Sequence, residues 1–441
     1  MVDGRDVKLW WDRGEPPAID NVIWEVERVF PRPIISSDDL FAISPCSRAI
    51  DFPGRLIRGD NLAAMEMLLR EDYEGKIDLI YIDPPYLSES HYSSRIEIKD
   101  KNTVYAFDRK VFNDNWENGT SSYLEHMYHR LVPMKRLLSE NGSIFIHLDW
   151  HISHYIKIML DELFSPAQLI NEIVWCYGGG SGAKRHFHRK HDVILWYAKG
   201  GDYTFNPQYR PYTPGTRERG LTRVKGDRYR LKDEGAIMQD WWTDINKILS
   251  PTAYENLKFP TQKPLALIMR ILEAASNPGS LAADFYGGSG TLADACEKSG
   301  RQWISCDSSP IALHTTAHRL IQQGASPFAI YQPIAEKHPL LGLKVDTSPY
   351  RGDLKRCNVS LNDCQVEGLP AAYAFSYWAL DLDHEPGIFV SDLQVIREKH
   401  NFNGPLTTEI GFTLSTQRGN TIGIKAYDFW GREYYGIYKA Q

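Results

Sequence analysis

Two short strings, Asp83-Pro84-Pro85-Tyr86 and Asp284-Phe285-Tyr286-Gly287-Gly288-Ser289-Gly290-Thr291, decide how this chain is read. The first follows the apolar run Ile77 to Ile82, which reads as a buried parallel strand ending where the chain must turn sharply. The second follows Leu281 to Ala283 in the same way. Ligand sites in open α/β sheets lie beyond the carboxyl ends of strands, so the two loops are candidates for one shared crevice.

Outward from these strings, strand and helix signals alternate. Arg55 to Asp60 reads as a short strand, and Asp60 or Asn61 is placed to cap a helix over Ala63 to Arg70. The polar stretch Ser88 to Asn118 reads as a long, mobile loop over a site. The spacing of Leu124, Met127, Tyr128, Leu131 and Met134 predicts a helix from Ser122 to Leu138. Ser143 to Leu148 then reads as a strand and Ile152 to Phe164 as a helix. Asn171 to Tyr177 and Asp192 to Ala198 read as strands joined through the flexible Gly178 to Gly182. Gly200 to Pro260 breaks this rhythm and reads as an insertion. Alternation resumes with a helix at Lys263 to Ala275, a strand at Leu281 to Phe285, a helix at Thr291 to Lys298, a strand at Gln302 to Cys306 and a helix at Pro310 to Gln323. The tail alternates like a hairpin around Trp430-Gly431. The expected organisation is an arm (1–54), a first α/β half (55–199), an insertion (200–260, its basic part starting near 184), a second α/β half (261–331) and a small β-rich unit (332–441).

The bulk composition narrows the class. At 441 residues and 42% hydrophobic content the chain can bury a large core. No apolar stretch approaches the roughly 20 residues of a membrane helix, and the start of the chain, with Trp10 and Trp11, lacks a signal-peptide pattern, so cytoplasmic residence is expected. Cys46, Cys176, Cys296, Cys306, Cys357 and Cys364 form no CxxC pair, which points to reduced, structural thiols. The formal net charge of -6 conceals a basic segment, Lys184 to Lys232, with 13 Lys and Arg against 4 Asp and Glu. Such asymmetry focuses a phosphate backbone onto one face.

Each string has a chemistry. The three glycines of the second let the backbone turn tightly beside a ligand, and the following helix presents free N–H groups to an anionic group. Asp307 ends the next strand, where an acid in a nucleotide-binding βαβ unit meets ribose hydroxyls. In the first, Asp83 offers a carboxylate and Pro84 a carbonyl to a planar amine, the diproline stiffens the turn, and Tyr86 gives a face for stacking a base.

In order, Gly59-Asp60-Asn61-Leu62, Asp83-Pro84-Pro85-Tyr86, a basic insertion, Thr261-Gln262-Lys263-Pro264 and the glycine string resemble the β-group of S-adenosylmethionine-dependent DNA amino-methyltransferases. Stretches such as Arg130 to Met134 and His191 to Lys199 resemble the adenine-specific members related to type III modification enzymes. The resemblance covers roughly residues 55 to 325. It implies a circularly permuted Rossmann-like methyltransferase sheet with helices on both faces, the catalytic half preceding the cofactor half. It implies that Asp83, Pro84, Pro85 and Tyr86 serve catalysis, with Asp83 and Pro84 holding an adenine N6 amine and Tyr86 stacking on the base. It assigns S-adenosylmethionine to Asp60, Asn61, Lys263, Pro264, Asp284, Phe285, Gly287, Gly288, Gly290, Thr291, Asp307 and Ser308. This chain departs from the family pattern at Gly288 and at Ala283-Asp284-Phe285-Tyr286, which lacks a proline before the aromatic.

Double-stranded DNA is the implied partner, with a restriction subunit and a second copy of the chain as candidates and a nucleoid-associated prokaryotic or phage-like setting. In the basic segment, Arg185, Arg189, Lys190, Arg210, Arg217, Arg219 and Arg223 are expected to hold phosphates and read bases. His186, His188 and His191 lack an acid or thiol at ligand spacing, so no metal is expected. N4-cytosine methylation uses the same amine geometry and stays open, as does a catalytically silent DNA-binding protein of this fold. C5-cytosine chemistry needs a nucleophilic Pro-Cys, and Pro45-Cys46 lies outside any catalytic strand.

Overall fold

The computed structural model describes residues 14–15, 17, 22–31, 52–88, 90–100, 103–180, 184–221, 231–250, 253–334, 337–397, 404–417 and 421–439. Ile77–Ile82 lies inside an eleven-stranded sheet. From one edge the order is Trp241–Trp242, Leu169–Cys176, His191–Ala198, Leu138–Leu148, Ile77–Ile82, Leu281–Asp284, Gln302–Asp307, Gly54–Arg58, Phe328–Pro333, Trp24–Val29 and Ile388–Ser391. The six strands from Leu138–Leu148 to Phe328–Pro333 are mutually parallel. His191–Ala198 runs against its neighbours on both sides.

Central parallel strands are buried on both faces, which is why Ile77–Ile82 is almost wholly apolar. Ile80 and Ile82 face the helices Asn61–Arg70, Thr120–Leu137 and Ser153–Phe164, packing with Met65, Leu68, Met127, Leu131 and Ile156. Leu79 and Tyr81 face the other way, toward the helices Leu265–Ala275, Thr291–Ser299 and Pro310–Gln322 and their Leu267, Ile271, Leu292 and Leu313. Burying each such side chain contributes about 1.5–3 kcal/mol. The outcome is a three-layer α/β architecture. Ile80 lies opposite Ala283, so the first string's strand and the second's are direct neighbours despite the long chain between them.

Three expectations change. The stretch Ser88 to Asn118, read as a polar loop, forms a long antiparallel hairpin, His91–Asp100 with Thr103–Asn113. Its inner face carries Ile96, Ile98, Phe107 and Val111, all buried, and the polar residues that suggested a loop alternate on the outer face. Within the weakly patterned N-terminal arm, Trp24–Val29 is a sheet strand, antiparallel to Phe328–Pro333 and parallel to Ile388–Ser391. The C-terminal residues build five- and three-stranded sheets around Trp378, Leu380, Phe412 and Ile424. They also contribute Ile388–Ser391 to the main sheet, so they are continuous with it. The expected terminal hairpin is present as Thr421–Asp428 with Glu433–Lys439.

Candidate active site

Both strings leave the carboxyl ends of adjacent strands and open into one cavity of about 340 Å³. Asp83, Pro84, Pro85 and Tyr86 line it together with Asp60, Asn61, Lys263, Asp284, Phe285, Gly287, Gly288, Thr291, Asp307 and Ser308. Pro264 and Gly290 do not line it. Pro264 precedes the first turn of Leu265–Ala275, and Gly290 that of Thr291–Ser299. Gly290 has φ +71°, and a Cβ there would lie 2.5 Å from Thr316 Cγ2. At Gly287 a Cβ would lie 2.2 Å from Ser305 Oγ, so the loop passes flush against the neighbouring strand.

The loop is held from beneath by Asp307. Its Oδ2 accepts the Gly288 N–H at 2.9 Å and its Oδ1 the Ser309 N–H at 2.8 Å. A carboxylate has about four lone-pair sites, so both oxygens can still accept from ligand hydroxyls. Burial raises the pKa of Asp307, against these two backbone hydrogen bonds, and raises that of Asp284 well above the carboxylate range. Across the cavity Asp60 caps the helix Asn61–Arg70 through Leu62 N–H at 2.9 Å. Its other oxygen accepts from Arg130 Nη2 at 2.6 Å. Asn61 Nδ2 donates to the Phe285 carbonyl at 2.9 Å, tying the helix start to the glycine loop.

The Asp83 carboxylate accepts the Tyr86 hydroxyl on one oxygen and the Lys263 ammonium on the other. Three consecutive backbone N–H groups after the diproline, those of Tyr86, Leu87 and Ser88, converge on the buried Asp114 at 3.2, 3.0 and 2.7 Å. Leu87 is held at φ +59°, and across the cavity Lys258 and Thr261 stand at +59° and +61°. Such conformations cost non-glycine residues about 1–3 kcal/mol and persist where surrounding structure enforces them.

A second cavity of about 410 Å³ adjoins the first, sharing Tyr86, Tyr92, Phe259, Thr261, Gln262 and Lys263 as walls. Behind Tyr86 lies a buried relay. The Tyr86 ring stacks on His147 at 6.2 Å, and His147 contacts the Tyr81 hydroxyl at 3.0 Å and Asp192 at 3.2 Å. Burial pushes the Asp192 pKa up, but the hydrogen bond and charge of His147 outweigh it and hold the carboxyl down at about 2.

Among the basic residues, Arg189 lines the second cavity, its guanidinium 3.7 Å from the Trp150 ring centre. Arg185 and Arg217 are exposed, Lys190 is half-buried, and Arg210 Nε donates to Gln239 at 2.7 Å. Arg219 lies on the helix Pro214–Leu221, and Arg223 lies outside the described residues. Among the described residues no group of His, Cys, Asp and Glu is arranged to hold a metal ion, and no helix is long and apolar enough to cross a membrane.

Sequence reasoning missed Asp114, His126, Arg130, Tyr92 and Phe259, all of which line the first cavity. His126 and Arg130 carried a signal. They are four apart on a helix, two polar residues beside the apolar face of Met127, Leu131 and Met134. His126 touches the Tyr286 hydroxyl at 3.0 Å, and burial lowers its pKa to about 3.

A permuted α/β sheet that delivers an acid-diproline-aromatic loop and a glycine loop to one cavity defines the architecture of an amino-methyltransferase. A family model described as DNA methylase (N6_N4_Mtase) matches residues 77–317, more than half of the sequence, and the chain belongs to this family of S-adenosylmethionine-dependent DNA methyltransferases. The type II methyltransferase M.EcaI of Enterobacter cloacae is 27% identical over 340 residues, 63% of this chain and 72% of that protein. The DNA adenine methyltransferase YhdJ of Escherichia coli K12 is 27% identical over 255 residues, 57% and 77% of the two chains. Among solved structures, the M1.HpyAVI–SAM complex is 20% identical, covering 60% of this chain and 98% of that one, with a TM-score of 0.40.

Proposed function

We propose that the protein methylates the exocyclic N6 amine of adenine in duplex DNA after extruding the base from the stack. The observation that carries this reading is the acceptor set in the first cavity, where Asp83 and Pro84 lie with the glycine loop and are followed by Tyr86, a wall shared with the aromatic second cavity. Similarity to YhdJ, a DNA adenine methyltransferase, favours adenine over cytosine.

A paired amine is out of reach inside the duplex, so the target nucleotide must leave it. Asp83 and the Pro84 carbonyl would accept the amine's N–H groups, aim its lone pair and stabilise the positive charge that develops on nitrogen. Tyr86 would stack on the purine, and Pro85 keeps the turn stiff. S-adenosylmethionine, when bound, supplies an electrophilic sulfonium methyl group. Its fit is supported by the flush glycine loop and by the free lone pairs of Asp307. Phe285, Gly287, Gly288 and Thr291 would bracket it, Asp60, Asn61, Asp307 and Ser308 would meet its nucleoside, and Asp284, Gly290 and Pro264 would shape the loop ends. Arg185, Arg189, Lys190, Arg210, Arg217, Arg219 and Arg223 would contact DNA. A restriction subunit, a second copy of the chain and residence on a cytoplasmic nucleoid complete the proposal.

The test is transfer of radiolabelled methyl groups from S-adenosylmethionine to unmethylated duplex DNA, followed by nucleoside analysis, with Asp83→Ala as control. N6-methyladenine is the expected product. N4-methylcytosine would reassign the target base, and no transfer to any DNA would overturn the proposal.

A further inference from the structure

Phe187 is 98% exposed, the highest value among the large apolar side chains of the described residues. Single exposed apolar residues are ordinary on protein surfaces. Three features set this one apart. It sits at the centre of Lys184-Arg185-His186-Phe187-His188-Arg189-Lys190, which carries four formal positive charges and no acid. The segment feeds the strand His191–Ala198, and Arg189, His191 and Asp192 line the second cavity, so the ring stands two residues from that wall. Its root is fixed. Arg189 packs over the Trp150 ring, Trp150 meets His151 at a 33° tilt with centroids 3.7 Å apart, and the Lys190 carbonyl accepts the Tyr177 N–H at 3.0 Å.

An aromatic tip on an anchored basic root has the build of a side chain that enters a nucleic-acid stack while its neighbours hold phosphates. The tryptophan pair at the sheet edge is less suited. Trp242 is buried beneath Arg270, and Trp241, 53% exposed, is fixed in the edge strand beside Val174. We infer that Phe187 is the wedge of this enzyme, inserting beside the target nucleotide and holding the duplex open while the extruded base occupies the second cavity. The inference rests on the base-extrusion reading above. The ring replaces stacking that the departing base gives up, so its contribution depends on how firmly that base was held.

That dependence supplies the test. Phe187→Ala and wild type are compared in single-turnover methylation of three DNAs carrying the modified motif: a fully paired duplex, a duplex with an abasic site opposite the target, and the single strand. Phe187→Ala should be slowed about tenfold or more on the paired duplex and return to within about twofold of wild type on the other two, where little pairing resists extrusion. Phe187→Trp should keep the paired rate, and the dissociation constant for S-adenosylmethionine should be unchanged. Equal losses on all three DNAs, or no loss on any, would overturn the wedge and leave methylation standing. Wild-type protein inactive on every DNA would overturn the methylation reading and the wedge with it.

Discussion

Asp83 meets two donors before any substrate arrives, Lys263 and the Tyr86 hydroxyl. A target amine must therefore share the remaining lone pairs or displace a donor, which makes the aim of this carboxylate the main residue-scale variable. Asp83→Ala should lower kcat by roughly 10²–10³-fold with cofactor affinity nearly intact, read by single-turnover rates and calorimetry. The support behind it is Asp114. Removing its carboxylate strands three backbone N–H groups, the Trp116 indole N–H and the Ser88 hydroxyl, each costing about 1–3 kcal/mol if left buried and unpaired. Asp114→Ala should thus cost roughly tenfold or more in kcat/KM, with Asp114→Asn recovering part of it. Identical rates for wild type and Asp114→Ala would refute this role. Asp83 and the glycine loop were legible because each is a contiguous string whose residues act together. Asp114 was not, because its meaning comes from a turn 26 to 28 residues away in sequence, closed only when the hairpin folds.

At the scale of elements, the hairpin His91–Asn113 links the site to the C-terminal unit. Near its base, Tyr92 and Phe112 stack at 4.4 Å and line the first cavity, while Ser94 Oγ donates to the Lys258 carbonyl at 2.9 Å. Toward its tip, Phe107 lies 5.4 Å from Phe429 and 5.1 Å from Trp430, and Tyr105 stacks on Tyr373. The next residue, Gly431, is pressed against Pro310 at the start of the helix that follows the Asp307 loop, where a Cβ would approach to 2.4 Å. One turn of the C-terminal unit thus braces two walls of the cavity. Phe107→Ala should cost about 3–5 kcal/mol of local stability. Amide exchange across 91–113 should accelerate while Ile77–Ile82 stays protected, and the KM for DNA should rise more than kcat falls. Unchanged exchange in the hairpin would sink this account. The alternation of Ile96 and Ile98 with Arg95, Glu97 and Lys99 was visible in the sequence. It was outweighed by the polar outer face, because the apolar partners lie more than two hundred and fifty residues downstream.

For the whole molecule, the order of the two strings made the permuted sheet legible, since βαβ connections leave few ways to place the strands. The docking of the chain's two ends was not, because Trp24–Val29 and Ile388–Ser391 are short and gain meaning only beside each other. Acid should loosen part of this docking. The helix Pro310–Gln322 meets the C-terminal residues through His314, packed against Tyr377 and Tyr427, and through His318, whose Nε2 is 3.1 Å from the Arg397 carbonyl. Burial depresses His314 to about 3 and His318 to about 4. An unfolded histidine titrates near about 6.5, so between there and about pH 4 the unfolded chain binds protons that the folded chain refuses, and stability falls as pH drops. Buried Asp284, Asp307 and Glu27, raised in the folded state, act in the opposite sense. Substitution separates the terms. His318→Gln keeps an N–H donor for the Arg397 carbonyl but cannot be protonated, so its unfolding free energy should fall less steeply than wild type between about pH 6.5 and 5. The slopes should differ by up to about 1.4 kcal/mol per pH unit in urea titrations, and parallel slopes would show that His318 does not couple folding to protons.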